Sequence, residues 1–148
     1  MLTRRELLLA AASAFIASVA VAWAQSPAKP VLKSAAYEWD KIDAQPTKYG
    51  FKRQVFDGRT AMLDQLECHV TTVNPGQATH PPVSQPADEL IIVKEGTLQA
   101  QIDGQPQPIG PGSVLFTAAN DLHGVKNAGD TPATYYVIKL VAPGATNK

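Results

Sequence analysis

The sequence predicts an all-β fold, an antiparallel sandwich or barrel that forms a single domain after an N-terminal signal. Short runs rich in β-branched and aromatic residues are separated by Gly-, Pro-, Asn- and Asp-containing turns roughly every 8–12 residues. Several runs alternate apolar and polar side chains, and no long stretch after the signal spaces its apolar residues as a helix does. These observations favour strands throughout.

The predicted strands follow one another with little sequence between them. They are Lys52–Phe56, Ala61–Val73, Leu90–Val93, Thr97–Ile102, Ser113–Thr117, His123–Asn127 and Thr134–Val141. In the fourth strand Leu98, Ala100 and Ile102 share one face, and Asp103-Gly104 is a strong hairpin-turn pair. In the last strand Tyr136, Ile138 and Leu140 lie on one face and Tyr135, Val137 and Lys139 on the other.

A proline-rich stretch, Thr79–Ala87, lies between the second and third predicted strands. Its three prolines cannot donate regular ladder hydrogen bonds, so we interpret it as an extended loop at a barrel mouth. His80 lies on this loop. An exposed loop histidine is the simpler interpretation of that residue, and a replacement ligand that turns inward is the alternative.

The composition excludes several classes of function. The 148 residues contain 13 basic and 13 acidic side chains, and removal of residues 1–24 leaves 11 basic and 12 acidic ones. A nearly neutral chain without a basic run is a poor nucleic-acid binder, so we expect no nucleic acid as a partner. The single cysteine, Cys68, excludes an intrachain disulfide and a multi-cysteine metal site.

Residues 1–24 have the pattern of an export signal. Two arginines precede an apolar run, and Ala22-Trp23-Ala24 forms a small-x-small cleavage site. The hexapeptide Thr3-Arg4-Arg5-Glu6-Leu7-Leu8 resembles a twin-arginine signal, which carries folded proteins to the bacterial periplasm. We predict export and no stable membrane span after signal removal; an uncleaved anchor is the alternative.

The remaining chain divides into three parts. Residues 25–49 are predicted to be a flexible lead-in and N-terminal arm, 50–142 the barrel, and 143–148 a C-terminal tail. Five aromatic residues in or just after the arm are expected to pad the barrel or a second subunit, or alternatively to line a pocket rim. They are Tyr37, Trp39, Tyr49, Phe51 and Phe56.

The second predicted strand carries a polar and an apolar face. Glu67 and His69 alternate with Leu66, Cys68 and Val70. If the polar face lines the barrel, Glu67 and His69 are a replacement ligand pair or an acid–base pair. The apolar set is typical of a core and favours the other interpretation, in which Glu67 and His69 face solvent.

Two groups of residues have spacings typical of a family of small β-barrels. In the later group, Gly112, His123 and Asn127 stand at the family spacing, while Ala118 and Asn120 replace the usual proline and glycine of a turn. This group places His123 at the start of a strand that follows the turn.

The earlier group completes the resemblance. Gly76, Glu89 and Gly96 match its glycine, glutamate and second glycine. Over roughly residues 50–142 the chain resembles the cupins, which are double-stranded β-helix (jelly-roll) barrels. The resemblance implies a jelly-roll fold, a possible homodimer, and a contact between Glu89 and His123 inside the barrel, since a buried carboxylate needs a partner.

The chain departs from the family at its His-x-His pair. Counting back from Glu89, the shorter family spacing places Val83 and Gln85 at the two positions, and the longer spacing places Pro82 and Ser84 there. The family's metal site uses both histidines, the glutamate and the later histidine. Only two of those four ligands are present here.

Two functions are therefore carried forward. In the first, the barrel binds a small organic molecule in a pocket whose candidate residues are His123, Glu89, Gln85 and Val83. In the second, a divalent transition metal supports an oxygenase- or isomerase-like reaction with a rearranged ligand set, namely Glu89, His123, Gln85, His80 and His69. The sequence argues against a standard metal site and leaves catalysis undecided.

Overall fold

The computed structural model describes residues 29–146, in which nearly all of the regular secondary structure is β-strand. The predicted all-β class is confirmed. One turn of 3-10 helix, Trp39–Lys41, comes before the strands. The strands are β1 (Gln45–Thr47), β2 (Gly50–Gly58), β3 (Gln65–Val73), β4 (Asp88–Glu95), β5 (Leu98–Ile102), β6 (Gln105–Ile109), β7 (Val114–Thr117), β8 (His123–Asn127) and β9 (Ala133–Val141).

Within this part of the chain the strands form two antiparallel sheets that enclose one core. The larger sheet has the order β1-β2-β3-β9-β4-β7, and the smaller has the order β6-β5-β8. The architecture is that of a jelly-roll barrel, in which strands of two sheets alternate along the chain. The buried apolar core comprises Val73, Ile91, Val93, Leu98, Ala100, Leu115, Val125, Ala133, Tyr135 and Val137.

Most strand boundaries agree with the predicted ones, and β8 agrees at both ends. The strand predicted to begin at Ala61 begins instead at Gln65. The reason is a local turn: the Thr60 hydroxyl accepts hydrogen bonds from the backbone N–H groups of Met62 and Leu63. Side-chain oxygens of threonine offer the backbone this alternative to a sheet ladder.

The prediction missed two short strands that contain proline. β6 contains Pro106 and Pro108, and β1 contains Pro46; both strands lie at the edge of their sheets. Proline is tolerated at an edge, where a missing N–H faces away from the neighbouring strand. The hairpin before β6 is the predicted one, since Asp103 and Gly104 both have positive φ angles of 49° and 75°.

The arm before β1 packs on the outer face of the larger sheet. The Trp39 ring lies between two cations, with the Arg53 guanidinium 4.7 Å and the Lys94 ammonium 4.1 Å from the ring centroid. Tyr37 contacts Phe56 at a ring-centroid distance of 5.3 Å. The arm therefore covers apolar side chains that point away from the barrel.

The start of the arm is also attached by its backbone. The Leu32 N–H donates to the Arg59 carbonyl, and the Arg59 N–H donates to the Pro30 carbonyl. Composition alone predicted a flexible lead-in at this point and did not indicate these contacts. The predicted signal, residues 1–24, lies outside the described residues. No helix within residues 29–146 is long and apolar enough to cross a membrane.

The Asn127 side chain connects β8 by hydrogen bonds to the end of β3 and to the turn before β9. Its fully buried side-chain amide donates to the carbonyls of Val73 and Thr131, and its side-chain oxygen accepts from the Gly129 N–H. All of its polar atoms that face these segments are thus paired. Loss of the side chain would leave buried backbone groups without partners, which costs more than the bonds themselves contribute.

We predict that Asn127→Ala lowers the free energy of unfolding by about 2–4 kcal/mol, because it removes three hydrogen bonds and leaves the buried Val73 carbonyl without this partner. Urea denaturation monitored by tryptophan fluorescence measures the change. Gln105→Ala, which truncates an exposed amide on edge strand β6, serves as the control and should change stability by less than about 0.5 kcal/mol. Equal effects of the two substitutions would contradict a structural role for Asn127.

Candidate functional site

A cavity of about 270 Å³ opens into the barrel between the two sheets. Its apolar lining includes Ile91, Val125 and Val137. Its polar lining is contributed by β2, β3, β4, β8, β9 and the proline-rich loop, and includes Lys52, Glu67, His69, Thr71, Gln85, Glu89, His123 and Lys139. The cavity therefore combines apolar walls with converging polar groups, which is typical of a small-molecule site.

Glu89 and His123 lie together inside the barrel, as predicted. The imidazole Nε2 is 3.5 Å from Glu89 Oε1, and the residues are 8% and 2% exposed. The His123 Nδ1 lies 2.9 Å from the Asp121 carbonyl oxygen and donates to it, which leaves Nε2 directed at the carboxylate. β4 supplies Glu89, and β8 supplies His123 as its first residue.

Gln85 joins this pair from the proline-rich loop. Its amide nitrogen donates to Glu89 Oε2 at 2.9 Å and lies 3.4 Å from His123 Nε2. When the imidazole is neutral, its Nε2 can accept a hydrogen bond from the amide. When it is protonated, its Nε2–H can donate to Glu89. Glu89, Gln85 and His123 thus form a connected network, called here the inner network.

The inner network shifts the pKa values of both ionisable members. The Glu89 carboxylate raises the pKa of His123 above its ordinary value, against the opposing effect of burial. Burial raises the pKa of Glu89, but the contacts with His123 and Gln85 and the charge of Lys139 outweigh it, so the pKa lies below its ordinary value. The pair therefore favours an imidazolium beside a carboxylate.

A second acid–imidazole pair faces the same cavity from β3. His69 Nδ1 lies 3.0 Å from Glu67 Oε1, and both side chains line the cavity. The favoured prediction that these residues face solvent is wrong, because the polar face of β3 lines the cavity. Cys68 and Val70 are buried on the opposite, outer face of this sheet. The N-terminal arm packs on that face, so apolar residues are found there as well as inside the barrel.

Lys139 lies between the two acid–imidazole pairs. On β9 it is directly opposite Glu67 of β3 on one side and Glu89 of β4 on the other. The hydrogen bond with His69 is the main cause that holds the pKa of Glu67 at about 2, and the charge of Lys139 lowers the pKa of both carboxylates further. Lys52 adds a second ammonium 3.5 Å from Glu67. The carboxylates of the cavity are thus neutralised by side chains of the protein.

Sequence reasoning placed Lys139 on an alternating strand but did not assign it to the site. Lys52 was not singled out either. The alternation of side chains along β9 could have indicated Lys139, because Tyr135, Val137 and Lys139 share one face and the first two are buried in the core. An inward lysine at the end of that face could be inferred once β9 is known to pair with both β3 and β4.

The proline-rich segment lines the mouth of the cavity. Of its three candidate residues, one enters the cavity and two do not. Gln85 enters the cavity, which corresponds to the shorter of the two family spacings. Val83 does not line the cavity; its backbone pairs with His123 through N–H to carbonyl bonds of 2.9 and 3.0 Å. His80 is exposed at the mouth, with Nδ1 2.7 Å from the Pro81 carbonyl oxygen.

These residues do not fit a metal held in the cupin manner. Gln85 presents an amide nitrogen, a donor, to Glu89 and His123, whereas a metal ligand must offer a lone pair. Within residues 29–146, no three His, Cys, Asp or Glu side chains are grouped so that they could hold a metal ion. Cys68 lies on the outer face, and burial raises the pKa of its thiol.

Comparison with known families gives a match to part of the chain. Residues 69–139, from His69 on β3 to Lys139 on β9, match the family model described as Cupin domain. No curated protein matches the chain. The turn before β8 also has the family geometry, because Asn120 adopts a φ of 72° where the motif has glycine.

Solved structures share the fold at low sequence identity. KdgF from Halomonas sp. is 12% identical, with a TM-score of 0.61 over 76% of this chain and 97% of that one. The polyketide cyclase RemF from Streptomyces resistomycificus is 19% identical, with a TM-score of 0.60 over 78% and 85%. A sugar phosphate isomerase from Silicibacter pomeroyi is 20% identical, with a TM-score of 0.58 over 74% and 77%. These likenesses confirm the predicted jelly-roll cupin fold.

The inner network should make stability depend on pH in a defined window. His123 has a raised folded pKa, so its contribution is complete below about pH 6.5 and is lost as the pH rises through the folded pKa. Glu89 has a lowered folded pKa, so its contribution is complete above about pH 4.5 and is lost as the pH falls. The pair therefore stabilises most between these values.

We predict that Glu89→Gln reduces the loss of stability between pH 5.5 and 8.5 by roughly half or more. Without the carboxylate, the folded protein no longer favours the protonated form of His123 as strongly, so its folded and unfolded pKa values differ less. The free energy of unfolding in urea at the two pH values measures this. His80→Gln, which removes an exposed imidazole, should leave the wild-type pH dependence in place. An unchanged pH dependence in Glu89→Gln would show that the pair is not coupled.

Proposed function

We propose that this chain is an exported cupin-domain protein that binds a small organic molecule inside its barrel. The observation that carries the proposal is the position of Gln85. Its amide donates to Glu89 and approaches His123, so the place of a metal-binding histidine is taken by a hydrogen-bond donor. A neutral amide donor suits a hydroxyl or carbonyl ligand better than a metal ion.

The charge balance of the cavity also supports a ligand without a metal. Glu67 and Glu89 face Lys52 and Lys139, and every buried side-chain nitrogen or oxygen within residues 29–146 has a hydrogen-bond partner. A bound molecule can exchange these hydrogen bonds without leaving a charge uncompensated. The volume of about 270 Å³ limits the enclosed part of the ligand to a small molecule.

Export rests on the N-terminal sequence. The twin-arginine-like hexapeptide and the Ala22-Trp23-Ala24 cleavage site support secretion of a folded protein to a periplasm. A possible homodimer is supported by Val114 and Phe116, which are 60% and 58% exposed on edge strand β7.

The metal question has a direct test. We predict that the purified protein contains far less than one equivalent of iron, manganese, nickel or zinc, measured by mass spectrometry after purification without chelators. Gln85→His should create affinity for a divalent metal, since it adds a second imidazole beside Glu89 and His123. Added His123→Ala should abolish that affinity, and Ser84→His, on an exposed neighbour, should create none.

Stoichiometric metal in the wild-type protein, lost in His123→Ala, would overturn the proposal. The rearranged ligand set of Glu89, His123, Gln85, His80 and His69 would then have to be tested one residue at a time, and a metal-dependent enzyme would become the better description.

The export proposal predicts where the mature chain begins. Replacement of Arg4 and Arg5 by lysine should abolish appearance of the folded protein in the periplasm, because the paired arginines are the recognised feature of such signals. N-terminal sequencing of the wild-type periplasmic protein should give Gln25. Arg53→Lys, on β2, is the control and should leave export unchanged. Normal export of the Arg4→Lys, Arg5→Lys protein would indicate an ordinary secretory signal.

A further inference from the structure

A groove of about 560 Å³ lies outside the barrel, next to the mouth of the cavity. Its floor is the outer face of β5 and β8, where Gln99 is opposite Lys126 and Gln101 is opposite Gly124. One wall is formed by residues 77–82 and the other by the turn that carries Lys48 and Tyr49. The groove is about twice as large as the cavity inside the barrel.

The groove adjoins the mouth of the cavity. Five residues line both of them: Tyr49, Thr79, His80, Gly124 and Val125. At Gly124 the loop packs close to β8, since a Cβ atom there would be 3.2 Å from the Pro82 Cα. A ligand that leaves the cavity through its mouth would therefore reach the groove next.

The groove carries positive charge that the rest of the protein does not neutralise. Lys48 and Lys126 line it, and no acidic residue is among the described residues of its lining. Neither lysine forms an ion pair within residues 29–146, whereas Lys52 in the cavity pairs with Glu67. Unpaired cations around a concave surface attract an anionic ligand.

The cavity and the adjoining groove thus differ in the ligand groups that they suit. The charges of the cavity are balanced, and Glu67 and Glu89 accept hydrogen bonds from hydroxyl groups, so the cavity suits an uncharged hydroxylated end. The junction offers the Tyr49 ring and Val125, and the adjoining wall of the groove offers Pro81 and Pro82, which suit a flat apolar segment. The lysines of the groove suit a negative group.

We propose that the ligand is an elongated hydroxylated organic acid, bound with its hydroxyl end against the inner network and its anionic end between Lys48 and Lys126. This inference rests on the proposed function, since it assigns the chemical class and the orientation of the molecule bound in the barrel. It adds a second, outer binding region, which lies outside the residues that resemble the cupin motifs.

The test uses two probes of nearly the same shape, 4-hydroxycinnamate, which ends in a charged carboxylate, and 4-hydroxycinnamamide, which ends in a neutral amide. Isothermal titration calorimetry on the wild-type protein at low salt should show that the carboxylate binds at least about fivefold more tightly than the amide, as expected for two exposed ion pairs. Raising the salt to about 0.5 M should remove most of this difference and leave amide binding unchanged.

Variants locate the effect. Lys48→Gln with Lys126→Gln should lower the affinity for the carboxylate to that for the amide, and should not change the amide. Lys33→Gln with Lys41→Gln removes the same net charge from the arm and should have no effect on either probe. Gln85→Ala should weaken both probes, because it removes a donor at the inner end of the site.

Four results would overturn the inference. These are equal affinities for the two probes, an equal effect of the arm substitutions, no effect of Gln85→Ala, and no binding of either probe up to about 10 mM, a limit far weaker than typical specific affinities. Equal affinities together with weakening by Gln85→Ala would reject the anionic groove and leave the barrel as the binding site. Stoichiometric bound metal would instead reject the proposed function itself.

Discussion

The double pairing of β9 is the constraint on which the interior of this barrel depends. β9 runs antiparallel to β3 along one edge and to β4 along the other, so its register fixes which residues of all three strands share a face. Tyr135 and Val137 enter the core, and Lys139 follows them to the wetter end of the same face. Because side chains alternate along a strand, Glu67 and Glu89 must then flank Lys139.

The polar end of the interior is stabilised by mutual neutralisation. Two carboxylates, two ammonium groups and three imidazoles line one cavity, and the hydrogen bonds of Gln85 connect Glu89 to His123. A cluster of this kind keeps its members charged only while each charge has a partner. Lys52 and Lys139 provide positive charge beside the two carboxylates.

The outer face of the larger sheet has a separate role. It carries apolar residues, among them Cys68 and Val70, and the N-terminal arm packs against part of it through Trp39 and Tyr37. A sheet that is covered on both faces loses the simple rule that apolar means inward and polar means outward. The barrel therefore combines a polar inner surface at one end with an apolar outer surface, part of which the N-terminal arm covers.

The sequence by itself determined the all-β class, most strand positions and the turn at Asp103-Gly104, because alternation and turn residues act over short distances along the chain. The approach of Glu89 to His123 followed from the resemblance to cupins. The sequence did not determine which face of β3 lines the cavity, that Lys139 lies between two carboxylates, or that the groove adjoins the cavity. Those features depend on the cover of the arm over one face and on the pairing of strands distant in sequence. Only the tertiary structure decides them, since the same alternating pattern is compatible with either face being buried.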